Sequence, residues 1–407
     1  MSEDAARRAA EAAARGSYGR LVAILAARTR DIGAAEDALA EAFAAALRTW
    51  PERGVPASPD AWLLTAARNA LSNARRHHRV RDAAEDEVLR RCEELAEAGH
   101  DIPDERLRLM FVCAHPAIDR AVRTPLMLQA VLGLDAARIG AAFLVAPAAM
   151  GQRLVRAKAR IRDAGLRFAV PEGPDLAERL ADVLDAIYAA YGTGWDALTD
   201  AGLGGLATEA IHLGRVAAAL MPAAPEAQGL LALMLYCEAR REARRDDAGR
   251  FVPLARQDAR LWNRDMIIEA EGLLTAASRA GQFGRFLCEA AIQSVHVQRP
   301  VTGRTNFAAL RVLYDLLARH APGVGVEVAR AAMLLEAGDA PGAAAALHAL
   351  PAAEVASYQP YWVARARLAA QAGQATAAAQ ALQRAIGLTA DPALRDFLLA
   401  GGDLAGS

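Results

Sequence analysis

The stretch LDAARIGAAFLVAPAAMGQRLVRAKARI, Leu134–Ile161, decides how the chain reads. It predicts a short helix, a tight turn and a longer helix from about Pro147, because proline's fixed φ suits a first helical position. Leu134, Ile139, Ala142, Val145, Met150 and Leu154 recur near helical spacing and are expected to face inward. Ala148, Ala149, Gln152, Arg153 and Arg156 then face out. From Arg138 to Arg167 seven cations (Arg138, Arg153, Arg156, Lys158, Arg160, Arg162, Arg167) meet one acid, Asp163, in a chain whose net charge is −1. An amphipathic helix pair with localised positive charge is a candidate DNA reader: Gln can address adenine, Arg can address guanine, and trailing cations can hold phosphates. Taken alone, a basic surface helix in a bundle explains the same pattern.

Outward from that pair, composition bounds the rest. The 407 residues suffice for two or three domains with their own cores. The hydrophobic fraction of 54% is led by alanine, and aromatics make up 5%. With β-branched alternation nearly absent, an almost wholly α-helical protein is expected. Residues 1–168 carry 26 basic and 22 acidic side chains, the remainder 21 and 26, so the first part suits a polyanion better. Lys158 is the single lysine among 47 basic residues, a bias that a GC-rich genome also produces. Cys92, Cys113, Cys237 and Cys288 are scattered without a CxxC, which indicates neither a zinc site nor a disulfide framework and fits a reducing cytoplasm. No apolar run reaches membrane-spanning length, and no phosphate loop, GxSxG or HExxH is present; neither a membrane protein, an enzyme nor a cofactor is expected.

Along the chain, residues 4–50 read as helices broken near Thr29–Gly33, followed by a loop from Pro51 to Pro59. Ser58 is a good N-cap with Pro59 at the first helical position, so a helix is expected to about His78, ending in the basic run Arg75-Arg76-His77-His78-Arg79. Residues 82–103 are acid-rich and read as a linker. A helical unit, 104–170, closes before Pro171-Glu172-Gly173-Pro174, the clearest boundary. A helical region, 175–300, follows. In 301–400, Ala343, Leu347 and Leu350 recur as Ala378, Leu382 and Ala385 at a 35-residue offset, each set after a glycine-bearing turn (Gly338, Gly373). That offset is close to the 34-residue tetratricopeptide period, and a weaker unit is expected around Ala308 and Val312.

These motifs together carry a resemblance. Residues 17–80, with Ala35-Glu36-Asp37-Ala38, Glu41-Ala42-Phe43 and Asp60-Ala61-Trp62-Leu63, resemble region 2 of bacterial RNA polymerase sigma factors of the extracytoplasmic-function group, within the sigma-70 family. Leu134–Ile161 resembles region 4 of the same group. The resemblance implies an all-α fold: a region 2 domain (1–81), a linker, a region 4 helix-turn-helix domain (104–170), and an extension of helices (175–300) and tetratricopeptide-like repeats (301–400). It also implies partners: core RNA polymerase, through its β′ clamp helices and β flap, and promoter DNA. Asp37, Glu41 and Phe43 are the residues it implies for the clamp helices. Arg68, Asn69, Arg75, Arg76 and Arg79, with the loop 51–59, are those for the −10 element. Ala148, Ala149, Gln152, Arg153, Arg156, Lys158 and Arg160 are those for the −35 element. Trp62 and the Cys113/His115 pair are expected to pack rather than to bind.

The chain departs from the group at Leu144, where a turn glycine is usual, and at Ala146-Pro147-Ala148-Ala149, which lacks polar base contacts. Ile102–Leu109, Ala239–Arg244, Gln257–Trp262 and Glu269–Leu274 resemble a subgroup with a long C-terminal extension. There Arg240, Arg241, Arg244, Gln257, Asp258 and Trp262 either line a pocket for a protein or small-molecule ligand or, the blander reading, form an Arg–Asp network between helices. The function expected is a sigma factor regulated by its own extension. The alternatives are a polymerase-independent helix-turn-helix regulator and a tetratricopeptide adaptor.

Overall fold

The computed structural model describes residues 3–76, 105–143, 145–196 and 205–402. Among them the chain is helical throughout, with short 3₁₀ turns and one isolated antiparallel bridge between Arg245 and Phe251. The all-α expectation is met. Two compact units form, Met1–Ala217 and Ala218–Ser407.

The first unit opens with α1 (Glu3–Thr29), α2 (Ile32–Arg53) and α3 (Pro59–Arg76). Thr29 ends α1 by donating its hydroxyl to the Leu25 carbonyl and accepting the Asp31 N–H. Asp31 then caps α2, accepting the Ala34 N–H at 3.1 Å. The helix α2 continues through Pro51 and stops at Gly54, whose φ of 89° suits glycine. The predicted loop is therefore shorter than Pro51–Pro59: the carbonyl that Pro51 leaves unpaired belongs to Leu47, on the half-exposed side of α2 where water reaches it. Ser58 and Pro59 start α3 as their types demand, with the Ala61 N–H on the Ser58 hydroxyl. Ser17 and Arg20 of α1 both donate to Asp60, at 2.7 and 2.6 Å, and Trp62 packs edge-on against the buried Trp50. Leu21, Leu25, Leu39, Leu63 and Leu64 fill the centre of the three helices.

Then come α4 (Arg106–Cys113), α5 (Arg120–Leu132), α6 (Ala136–Ala142) and α7 (Pro147–Asp163). They pack in the same unit as α1 to α3. An added Cβ at Gly19 of α1 would stand 1.7 Å from the Val131 carbonyl oxygen, so α1 crosses the end of α5 backbone against backbone. Pro171–Pro174 marks a turn, with Gly173 at φ 60°, and not the edge of this unit. Helix α8 (Pro174–Asp196) packs on α4 and α5, and α9 (Leu206–Leu220) follows it. Val183, Leu184, Ile187 and Tyr191 bury the apolar face of α8, and Arg123 and Arg106, both buried, take Asp182 of α8 and Glu209 of α9 as partners at 2.6 and 2.5 Å. The expected linker 82–103 lies outside the described residues.

In the second unit, α10 (Pro225–Glu238) is buried along most of its length by α11 (Arg264–Ser278) and α12 (Arg285–Val297). Gly229 admits the start of α12, and Glu226 caps it by accepting the Phe286 and Leu287 N–H groups. After α13 (Arg299–Thr302) and α14 (Phe307–His320), two helical hairpins follow: α15 (Val324–Glu336) with α16 (Ala340–His348), and, beyond the short α17 (Ala352–Val355), α18 (Gln359–Gln371) with α19 (Ala375–Gly387). Helix α20 (Pro392–Leu399) closes the chain. Gly338 and Gly373 occupy equivalent left-handed turns, and Ala343, Leu347, Ala378 and Ala385 are buried. The weaker repeat around Ala308 and Val312 is not where it was expected: both are exposed, and Leu310 and Leu317 are the residues α14 buries. No helix among the described residues is long and apolar enough to cross a membrane.

Candidate nucleic-acid interface

The helix pair is built as its caps dictate. Asp135 accepts the Arg138 N–H to start α6, and Pro147 starts α7. Gly140 lets the turn fold tightly: a Cβ there would meet the Val145 carbonyl oxygen at 2.5 Å. Ile139, Met150, Leu154, Ala157 and Ile161 bury the inner face, whereas Ala142, expected there, is exposed because the seven-residue α6 turns only Ile139 and Gly140 inward. Ala148, Ala149, Gln152, Arg153, Arg156 and Arg160 are all exposed on α7, joined by Val155, which is 65% exposed and had no expected role. Arg156 folds back, its Nε donating to the Gln152 carbonyl. Arg153, Arg156 and Arg160 line one side of an open groove of about 600 Å³, whose other side is the turn Ala117–Asp119 and the first residues of α5. Among the described residues Arg153 and Arg160 have no acidic partner.

Lys158 stands apart from this set. Its ammonium meets the Glu36 carboxylate of α2 at 2.5 Å, and both side chains are largely buried, so in this structure Lys158 ties α7 to α2. Burial, the largest effect, pushes the Glu36 carboxyl above its ordinary range against the pull of Lys158. On the neighbouring side of α2, Asp37 and Glu41 are exposed, and Phe43 is half-buried. The exposed large apolar residue of α2 is Leu47, at 48%, four positions on from Phe43 along the same helix stripe.

On α3, Asn69 is exposed and Arg68 half-buried with interactions of its own. Arg75 and Arg76 form the helix's last turn, and Arg79 lies outside the described residues. Residues 15–81, from the middle of α1 through α3, match the family model for sigma-70 region 2. The chain belongs to the sigma-70 family. Residues 179–278 match a second model, a family of unknown function (DUF6596). The chain is 37% identical over 368 residues to the uncharacterized protein R00370 of Rhizobium meliloti (strain 1021), covering 88% of this chain and 87% of that one. It is 30% identical over 207 residues to the probable RNA polymerase sigma factor RfaY of Xanthomonas campestris pv. campestris, covering 46% of this chain and about half of the relative, 51%. No solved structure matches.

Within this sigma-70 protein, region 2 thus contributes the exposed acidic stripe of α2 and the polar end of α3. Trp62 packs on Trp50, as expected of it. Cys113 is buried and burial pushes its thiol up, while His115 accepts the Ala117 N–H through Nδ1; among the described residues no three metal-ligating side chains gather. In the extension, Arg240 donates to the Tyr236 carbonyl and to Gln293, Arg241 to Glu238, and Arg260 to Asp258, while Trp262 is buried. The Arg240–Gln293 bond joins the end of α10 to α12, whereas the Arg241 and Arg260 bonds are local, to residues three and two positions away. A cavity of about 330 Å³ lies elsewhere in the second unit, lined by Phe251, Val328, Tyr358, Val363, Leu394 and Phe397. Sequence periodicity gives no sign of it, because its walls come from the Phe251 segment and from α15, α18, α19 and α20.

Proposed function

We propose that this sigma-70 family protein is a sigma factor of the extracytoplasmic-function type that carries core RNA polymerase to promoters. Region 2 supplies the polymerase contact through Asp37 and Glu41, with Phe43 behind them and Leu47 as the exposed apolar anchor, against the β′ clamp helices. It also supplies the −10 contact through Arg68, Asn69, Arg75, Arg76 and Arg79 and the loop that follows Gly54. Helices α4 to α7 act as region 4, toward the β flap and the −35 element. The chain catalyses nothing itself and works in the cytoplasm with its polymerase.

The observation that carries this reading is one chain holding a matched region 2 together with a helix pair that exposes Gln152, Arg153, Arg156 and Arg160 along one face. Phosphate-holding cations beside a few base-reaching side chains are what sequence-selective DNA binding requires. Because Ala148 and Ala149 offer only methyl contacts, −35 selection leans on Gln152 and the arginines and on DNA shape. The extension regulates, and the apolar cavity of about 330 Å³ is the place where a ligand on the extension would act.

The test is binding and opening. Purified chain mixed with core polymerase should form a stable complex and make promoter thymines near −10 reactive to permanganate. Asp37→Arg combined with Glu41→Arg should abolish the complex without unfolding the chain. A chain that binds duplex DNA as a dimer and ignores core polymerase would instead be a free-standing regulator.

A further inference from the structure

Helix α8 belongs to the extension in sequence, yet its Asp182 is buried among the helices of the candidate DNA-binding half. Its carboxylate takes the Arg123 Nη1 at 2.6 Å, and Arg120 approaches its other oxygen at 3.7 Å. Both Asp182 and Arg123 are less than a tenth exposed. Arg123 has a second bond, from Nε to the Ile118 carbonyl at 3.0 Å. Ile118 lies in the turn Ala117–Asp119, and that turn is the wall of the groove that faces Arg153, Arg156 and Arg160. The same turn is held from its other end by the Ala117 N–H on His115. One carboxylate on the extension therefore orients one buried guanidinium, whose fork sets the position of the groove's far wall. Arginine suits this role because its planar donors serve two acceptors at fixed angles.

We propose that Asp182 is a positioning residue for nucleic-acid binding, through which the extension sets the width of the arginine-lined groove on α7. This rests on the reading that the α7 face meets DNA. A phosphate held by Arg153, Arg156 or Arg160 must clear the opposite wall, where the Asp119 carboxylate accepts the Ala121 N–H and repels an anion that comes too near, so the wall has to stand at a fixed distance. Without the carboxylate, Arg123 keeps a buried charge and no fixed direction, and the turn relaxes. The extension is then a working part of the DNA-binding half as well as its regulator.

The test uses the full chain. Asp182→Asn removes the charge at constant shape. The pair Arg123→Met with Asp182→Leu removes the ion pair as a unit, which keeps an apolar, packed interior and the fold. Binding of a fluorescent 40-base-pair duplex is measured against salt for each, alongside circular dichroism and melting, and promoter complexes with core polymerase are measured in parallel. The expected result for the double variant is native helicity and a roughly tenfold weaker duplex affinity. The log-log salt slope should be shallower by about 0.9 for each phosphate no longer neutralised; with Arg123 intact, Asp182→Asn should lose affinity in the same direction and Asp182→Glu should lose less than Asp182→Asn.

Native affinity and slope in the folded double variant overturn the proposal. So does a loss of promoter complexes with duplex binding unchanged, because Asp182 would then act on polymerase and not on the groove. If the wild-type chain never engages core polymerase while the variants still shift duplex binding, the sigma-factor reading fails and the role of Asp182 stands.

Discussion

Replacing Lys158 by methionine would leave the Glu36 carboxylate buried without its cation, while an atom of that carboxylate, Oε1, already has no hydrogen-bond partner. Unpairing a buried ion costs about 3 kcal/mol or more, so Lys158→Met should lower the stability of the first unit by that order in urea unfolding at neutral pH. The deficit should shrink on acidification. Glu36 has its folded pKa raised, so its contribution is complete below the ordinary carboxylate range and is lost as pH climbs through the raised value. His115 works in the opposite direction. Burial first, then Arg179 and Arg123, hold its imidazole below the ordinary value, so the unfolded chain protonates before the folded one and stability is lost as pH falls from the ordinary imidazole range. Urea midpoints across pH should therefore fall on the acid side in the wild type, and the acid-side loss should diminish in His115→Gln, whose amide oxygen can still accept the Ala117 N–H. A midpoint profile identical in wild type and His115→Gln would remove this histidine from the account. At the DNA face, Arg153→Ala should weaken duplex binding by about 1–3 kcal/mol if it reads a base edge, with equal loss across sequences marking a phosphate contact instead.

The elements that were legible in sequence are those whose signals are local. Ser58-Pro59 starts α3, Pro147 starts α7, and Ile139, Met150 and Leu154 face inward. What no local pattern shows is charge pairing across the fold. Glu36 and Lys158 are 122 residues apart, Arg123 and Asp182 59, and Arg106 and Glu209 103. Each such pair leaves two ordinary-looking charged residues in sequence, which is why Lys158 reads as one more phosphate contact and why Pro171–Pro174 reads as a domain edge. Close backbone approach is equally silent, since a glycine in an alanine-rich helix gives no hint of its neighbour. Gly19→Ala should show it. The new methyl would overlap the Val131 carbonyl, and overpacking of this kind costs about 1–3 kcal/mol or more. Hydrogen exchange should then rise in both α1 and α5 together; a rise in α1 alone would mean that the two helices do not share this contact.

For the whole molecule, the packing of α2 against α7 sets a requirement. Elements centred 25 base pairs apart on B-form DNA are separated by about 85 Å at 3.4 Å per pair, and helices joined by a direct Glu36–Lys158 contact cannot serve both ends. On the proposed function, the first unit is expected to open on a promoter, with α1 to α3 parting from α4 to α7. Donor and acceptor dyes at the exposed Glu52 and Arg162 should show lower energy transfer on addition of core polymerase and promoter DNA. Unchanged transfer in an active complex would mean that α2 and α7 stay together. Binding to such an open form competes with the ion pair, so Lys158→Met should need less polymerase for half-maximal complex than wild type.

This chain is expected to confer promoter selection on a polymerase that has none. That expectation is tested most directly by run-off transcription on fragments of its own genome, with core polymerase alone, with core plus the chain, and with core plus the Arg153→Ala/Arg160→Ala variant. The expected transcripts have discrete 5′ ends, require the chain and weaken in the variant. The same transcripts with core alone, or none with the chain, would contradict that expectation.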